Sequence, residues 1–131
     1  MVERAGAGIE PAERLEAPVS TTYQGKGVAP ETHPLFLWPG FGDAAPAFVR
    51  EIARECDATL AIGCRFGEVA TASYGIEPPG PLIHVDIDPS VLGRNHRTAV
   101  AVQSDAARFV DALLPRLQPH PRDEKLRERI R

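Results

Sequence analysis

Two short stretches constrain this chain more than any other part of it. They are ATLAIG, Ala58 to Gly63, and LIHVDID, Leu82 to Asp88. Side chains alternate between the two faces of a strand, so a strand that is apolar on both faces must be covered on both. That condition points to a parallel sheet sheathed by helices rather than to an antiparallel sheet with one wet face. TAVAVQ, Thr98 to Gln103, reads the same way. APVSTT, Ala17 to Thr22, is a short β-branched strand candidate, followed by a turn at Gly25 to Gly27. HPLFLW, His33 to Trp38, is a further apolar run. Between these runs the period changes. Ala45, Phe48, Val49, Ile52, Ala53 and Cys56 recur at helical spacing, with Asp43 as the expected N-cap and Pro46 in the first turn. Ala106, Phe109, Val110, Leu113, Leu114 and Leu117 line a last helix, capped by Ser104 or Asp105 and ended or kinked at Pro115. Strands alternating with helices in this order make an α/β fold.

At 131 residues, one domain with a real core is expected. A net charge of −3, aromatics at 6% and no basic stripe except the last ten residues argue against nucleic acid as a partner. No apolar run approaches the ~20 residues of a membrane helix. The opening MVERAGAGIEPAERLEAP lacks the apolar core of a signal peptide, so the cytoplasm is expected. Cys56 and Cys64 form no C-x-x-C and have no histidine at zinc-finger spacing, so both read as reduced thiols in or near the core. The Gly6 to Gly8 GAG has no preceding strand and is too short for a dinucleotide fingerprint. From Gln118 the chain turns polar, and residues 118–131 read as a charged linker or a solvated helix.

In open parallel sheets, ligands sit beyond the carboxyl ends of the strands. Asp86 and Asp88 lie at one such end, Gly63 and Arg65 at another, Ser104 and Asp105 at a third. Gly40, Phe41, Gly42 and Asp43 precede a helix, where free backbone N–H groups favour an anion. Carboxylates suit ribose hydroxyls, and an arginine or helix-end amides suit a pyrophosphate. The set therefore fits a nucleotide. A local reading stands beside this one. Asp86 serves loop N–H groups, Asp88 caps the turn from Pro89 to Leu92, and Arg65 pairs with Glu68 or Asp86. His84, inside a strand, reads as a satisfied core or interface histidine rather than a catalytic one. His33 reads as a cap or a packing residue beside Pro34.

The strings APVSTTYQGKG with PETHPL, AIGCRF and HVDIDP, in this order between about Ala12 and Leu117, resemble the central domain of thiamine-diphosphate-dependent enzymes of the acetolactate synthase and pyruvate oxidase type. The resemblance implies a Rossmann-like parallel sheet with helices on both faces, over residues 1–117. It implies FAD, ADP or no ligand in this domain, with Gly40 to Asp43, Arg65, Asp86, Asp88 and Asp105 as the contact positions. Here the loop is WPGFGDA, and Phe66-Gly67-Glu68 follows the arginine where acetolactate synthases carry FDD. The resemblance also implies flanking pyrimidine- and diphosphate-binding domains, which hold thiamine diphosphate and Mg²⁺, in a homo-oligomer. On this reading the chain alone is catalytically inactive. A first apolar strand is expected ahead of Glu3, where only Met1 and Val2 stand, and its neighbours would be the strands of APVSTT and ATLAIG. Two other classes remain open: a free-standing nucleotide-binding or interaction module, and a Rossmann-type oxidoreductase.

Overall fold

The computed structural model describes residues 9–21, 29–39, 45–64, 80–94 and 97–131. Their elements are α1 (Glu10–Leu15), β1 (Val19–Thr21), β2 (Phe36–Pro39), α2 (Ala47–Glu55), β3 (Thr59–Ile62), β4 (Leu82–Asp86), β5 (Val100–Gln103), α3 (Ala106–Leu113), a 3₁₀ turn (Leu114–Arg116) and α4 (Glu124–Ile130). All strand pairs are parallel. β1 pairs with β2, and β4 lies between β3 and β5. The expected parallel α/β fold is thus present. β1 and β3 belong to different sheets and do not pair with each other.

The most apolar strand takes the most protected place. β4 is flanked on both edges, with Leu82, His84, Val85 and Asp86 buried. β5, expected to be covered on both faces, instead leaves Val100 49% exposed. Its valines and alanines satisfy the same sequence pattern as β4, but among the described residues it has a strand neighbour on one side only. Among the described residues, three apolar clusters support the sheets. Ile9, Ala12, Ala29 and Phe36 form one, with Val19 against them. Leu37, Ala45, Val49 and Ile52 form the second, and Ala61 with Leu82 the third.

α2 begins later than the sequence pattern suggests. Its N-cap is Pro46, without a side-chain cap, and not Asp43, which lies outside the described residues. The residue before a proline is pushed away from helical angles, so Ala45 is a poor helical position and the helix starts after the ring. Ala45, Val49 and Ile52 face the core as expected, whereas Phe48 sits at the border, 36% exposed. α3 follows expectation: Asp105 caps it by accepting from the Arg108 N–H, and the α-helix gives way to a 3₁₀ turn at Leu114-Pro115.

The polar C-terminal stretch is docked, not solvated all round. Leu126 and Ile130, one helical turn apart, pack with Trp38 on the cluster of Leu37, Val49 and Ile52. Arg129 pairs with Glu55 on α2 through two bonds, of 2.6 and 2.9 Å. Arg127 pairs with Glu16, which also accepts from the Asp123 N–H at 3.2 Å. Glu16 ends α1 with φ 49, a left-handed conformation that costs a non-glycine residue about 1 kcal/mol. That twist accompanies the burial of its side chain, only 6% exposed, against Arg127. The bond from Arg127 holds the Glu16 carboxyl below its usual range, helped by the Asp123 N–H and opposed by burial.

A depressed carboxylate contributes stability above its unfolded value and loses it as pH falls through its folded value. The Glu16–Arg127 pair is therefore expected to contribute fully above pH 4.5 and progressively less below it. Urea unfolding between pH 3 and 7 should show a shallower acid limb in Glu16→Gln than in the parent chain; superimposable acid limbs would show that the pair is stability-neutral.

Gly80, just before β4, has φ +64, and a Cβ there would lie 2.2 Å from the Asp57 carbonyl oxygen. Gly80→Ala is expected to lower unfolding stability by about 2–4 kcal/mol, through overpacking and a left-handed alanine. Thermal and urea unfolding of the variant measure this directly.

Candidate functional site at the carboxyl ends of the strands

Parallel register sets the carboxyl ends of β3, β4 and β5 side by side. Ile62 faces Val85, and Asp86 faces Gln103. The ladder runs on beyond the strands: the Gly63 N–H donates to the Val85 carbonyl at 2.8 Å, and the Ser104 N–H to the Asp86 carbonyl at 3.1 Å. Asp86, Asp88 and Asp105 thus emerge on one end of the sheet, with the turn at Gly63-Cys64 beside them.

Each of these acids has a local task. Asp86 is 7% exposed, and its Oδ1 accepts from the Asp88 N–H at 2.9 Å. Asp88 Oδ1 accepts from the Ser90 N–H at 2.9 Å and from the Ser90 hydroxyl at 2.7 Å. Both are side-chain turns that shape the chain after a strand. Asp105 Oδ2 caps α3 at 3.0 Å. The Gln103 side chain donates to the Ile87 carbonyl at 3.4 Å, tying the same turn to β5. The local role of Asp86 and Asp88 is therefore built into the fold. Gly40, Phe41, Gly42, Asp43 and Arg65 lie outside the described residues.

Two polar atoms escaped the sequence reading. Ser20 Oγ and Thr21 Oγ1, at the carboxyl end of β1, are buried without a hydrogen-bond partner among the described residues. Buried hydroxyls are nearly always paired, and each unpaired one costs roughly 1–3 kcal/mol. Adjacent strand residues point to opposite faces, so the two serve different sides of the sheet. Only hydroxyl residues at a strand's carboxyl end, ahead of a glycine turn, signalled them in the sequence.

His84 is 2% exposed, and its Nε2 donates to the Cys64 carbonyl at 2.6 Å. This is the satisfied core histidine that its place in a strand suggests. His33 is also structural: Nδ1 accepts from the Leu35 N–H at 3.1 Å, and Nε2 meets Glu13 at 3.0 Å. Cys56 is a free thiol that donates to the Ile52 carbonyl at 3.4 Å. Burial, then the neighbouring Asp57 and Glu55 charges, push its thiol above the usual range, which makes it a poor nucleophile.

A parallel α/β domain with this order of elements has known counterparts. The family pattern described as thiamine pyrophosphate enzyme, central domain, matches residues 4–113. The chain belongs to that family. It is 38% identical over 107 residues to a protein named "Probable acetolactate synthase large subunit" from Methanocaldococcus jannaschii, covering 81% of this chain and 18% of that protein. It is 33% identical over 123 residues to the sulfoacetaldehyde acetyltransferase of Rhodobacter capsulatus, covering 90% of this chain and 20% of that one. The crystal structure of benzoylformate decarboxylase from Polynucleobacter necessarius superposes with a TM-score of 0.67 at 24% identity, covering 89% of this chain and 22% of that chain, and shows the shared fold. The chain thus spans about a fifth of the length of the curated relatives it matches. No helix of this central domain, among the described residues, is long and apolar enough to cross a membrane. No group of three or more His, Cys, Asp or Glu side chains that could hold a metal ion occurs among those residues either.

Because Asp86 shapes its own turn, its removal has a structural signature. Asp86→Ala leaves the Asp88 N–H without its acceptor and is expected to cost about 1–3 kcal/mol of unfolding stability. Asp86→Asn keeps a carbonyl oxygen in place and should cost less than half as much. Equal losses in the two variants, measured by urea unfolding, would contradict the assignment of that bond.

Proposed function

We propose that this central domain belongs to a thiamine-diphosphate-dependent carboligase or decarboxylase acting on 2-oxo acids, of the acetolactate synthase kind. Within it, the domain holds the flanking pyrimidine- and diphosphate-binding domains in place and binds FAD or ADP at the carboxyl ends of its strands. Thiamine diphosphate with Mg²⁺, bound by the flanking domains, supplies the carbanion chemistry. A homo-oligomer in the cytoplasm completes the reading.

The observation that carries the nucleotide part is the pair of buried hydroxyls on Ser20 and Thr21, without a hydrogen-bond partner among the described residues. They lie at the carboxyl end of a parallel strand and on opposite faces of it, so the one on the ligand's face would meet a phosphate or ribose oxygen. Asp86, on the three-stranded sheet, has one oxygen engaged by its own turn and would offer its second to a ribose hydroxyl. Arg65 would neutralise the pyrophosphate, and Gly40 to Asp43 would lend backbone N–H groups ahead of α2.

Calorimetry with FAD, ADP and NAD tests the reading. FAD or ADP is expected to bind more tightly than NAD. Arg65→Ala and Asp86→Asn should each weaken binding about tenfold to a hundredfold, the worth of one charge-assisted hydrogen bond of roughly 1.5–3 kcal/mol. A preference for NAD would favour the oxidoreductase class instead. Equal binding by the parent and both variants would make the two residues purely structural.

A further inference from the structure

We propose that α4 is a releasable strap over the apolar face of β2 and α2, and that Glu16 with Arg127 is the clasp that holds it shut. The inference concerns a conformational device of this chain and is independent of the nucleotide reading.

α4 does not stand on its own. It has 7 residues, none of them buried, and isolated helices shorter than about 12–15 residues are marginal in water. Its apolar contribution is Leu126 and Ile130, which lie with Trp38 on the cluster of Leu37, Val49 and Ile52. Glu16 supplies what the helix lacks. Its Oε1 accepts from the Asp123 N–H at 3.2 Å and from Arg127 Nε, and its Oε2 accepts from Arg127 Nη2 at 3.0 Å. Asp123 is the N-cap of α4, and its Oδ1 accepts from the Leu126 N–H at 3.0 Å. Asp123 and Arg127 stand one helical turn apart. A single carboxylate from the end of α1 therefore grips both ends of the first turn of α4, and the first turn is the costly one to form. Ahead of the helix, the His120 N–H donates to the Arg14 carbonyl at 2.8 Å, which keeps the start of the strap beside α1.

The two ion pairs of α4 are not equal. Arg127 and Glu16 are 14% and 6% exposed, whereas Arg129 and Glu55 are 42% and 61% exposed. An exposed pair holds little, because water screens it and long side chains lose freedom in forming it. An enclosed carboxylate gripped by a two-pronged guanidinium is a strong contact, and removing one partner leaves the other without its counter-charge. The clasp is thus Glu16 with Arg127, and the pair of Glu55 with Arg129 is secondary. Without the clasp, α4 loses the turn from which it starts, and Leu126 and Ile130 leave the apolar face together. β3, β4 and β5 are held by their own ladders and contribute no residue to the clasp, so the strap opens without them.

The chain has a single tryptophan, Trp38, and it shares the apolar cluster with Leu126 and Ile130, so it reports on the strap. Amide hydrogen exchange over residues 123–130 and acrylamide quenching of Trp38 fluorescence are compared in the 131-residue parent, Arg127→Ala, Arg129→Ala and the double variant of Glu16→Ala with Arg127→Ala. Alanine is a better helix former than arginine, so a loss of α4 in Arg127→Ala does not come from propensity. Arg127→Ala is expected to accelerate exchange over residues 123–130 at least tenfold and to raise the quenching of Trp38, with β3, β4 and β5 within threefold of the parent. Arg129→Ala should stay within threefold of the parent. The double variant should exchange within threefold of Arg127→Ala, because the two residues act as one contact. A smaller acceleration in Arg127→Ala, or unchanged quenching of Trp38, overturns the proposal. So does acceleration that spreads into β3, β4 and β5, or loss of the folded state, since α4 would then be core and not a strap. An effect of Arg129→Ala beyond threefold, or a double variant beyond threefold of Arg127→Ala, overturns the assignment of the clasp to Glu16 and Arg127.

Discussion

The pairing of β4 on both its edges is the interaction on which the rest of this domain depends. Every backbone group of a buried strand must find a partner, and β4 finds its partners in β3 on one side and β5 on the other. Because both ladders are parallel, the carboxyl ends of all three strands fall on the same side. That single consequence gathers Gly63, Asp86, Ser104 and Asp105 from positions far apart in the chain. Val85 at 0% exposure and His84 at 2% mark how completely the strand is enclosed.

Carboxylates at that end shape the turns that follow the strand. Asp86 and Asp88 each tie down the backbone two residues on. The hydroxyls of Ser20 and Thr21 on β1, by contrast, are buried without a hydrogen-bond partner among the described residues. Uncompensated polarity of that sort is tolerated only where something else is gained.

The two ends of the described chain are held together by charge. Glu16 and Arg127, 111 positions apart, form a nearly enclosed pair, and the Asp123 N–H completes the set of bonds to Glu16. The His120 N–H donates to the Arg14 carbonyl, and Arg14 in turn donates to the Leu114 carbonyl. These contacts make α1 and the C-terminal segment one unit. Leu126 and Ile130 add an apolar seam too thin to be noticed as a stripe, because two residues in one helical face look like chance in a sequence rich in arginine and glutamate. Their significance comes from the partner surface of Leu37, Val49 and Ile52, which no local pattern in α4 encodes.

Much of the architecture was legible beforehand because it rests on local rules. Two-sided apolar strands demanded a covered parallel sheet, helical spacing placed α2 and α3, Asp105 signalled a cap, and Pro115 signalled a stop. The strings from APVST to HVDIDP carried the family resemblance, and the family match bears it out. Errors arose where a neighbour decides. Asp43 has the chemistry of a cap, but the proline after Ala45 moved the helix start to Pro46. TAVAVQ reads as a strand covered on both faces, yet Val100 is half exposed, since composition does not say what packs over a strand. The sequence by itself determined the fold class, the direction of the strands and which acids stand at their carboxyl ends, because periodicity and turn chemistry act over a few residues. Only the tertiary structure decided that Glu16 would meet Arg127, that His84 would reach past the ladder to Cys64, and that Ser20 and Thr21 would bury their hydroxyls, because each depends on which surfaces far apart in the chain come into contact.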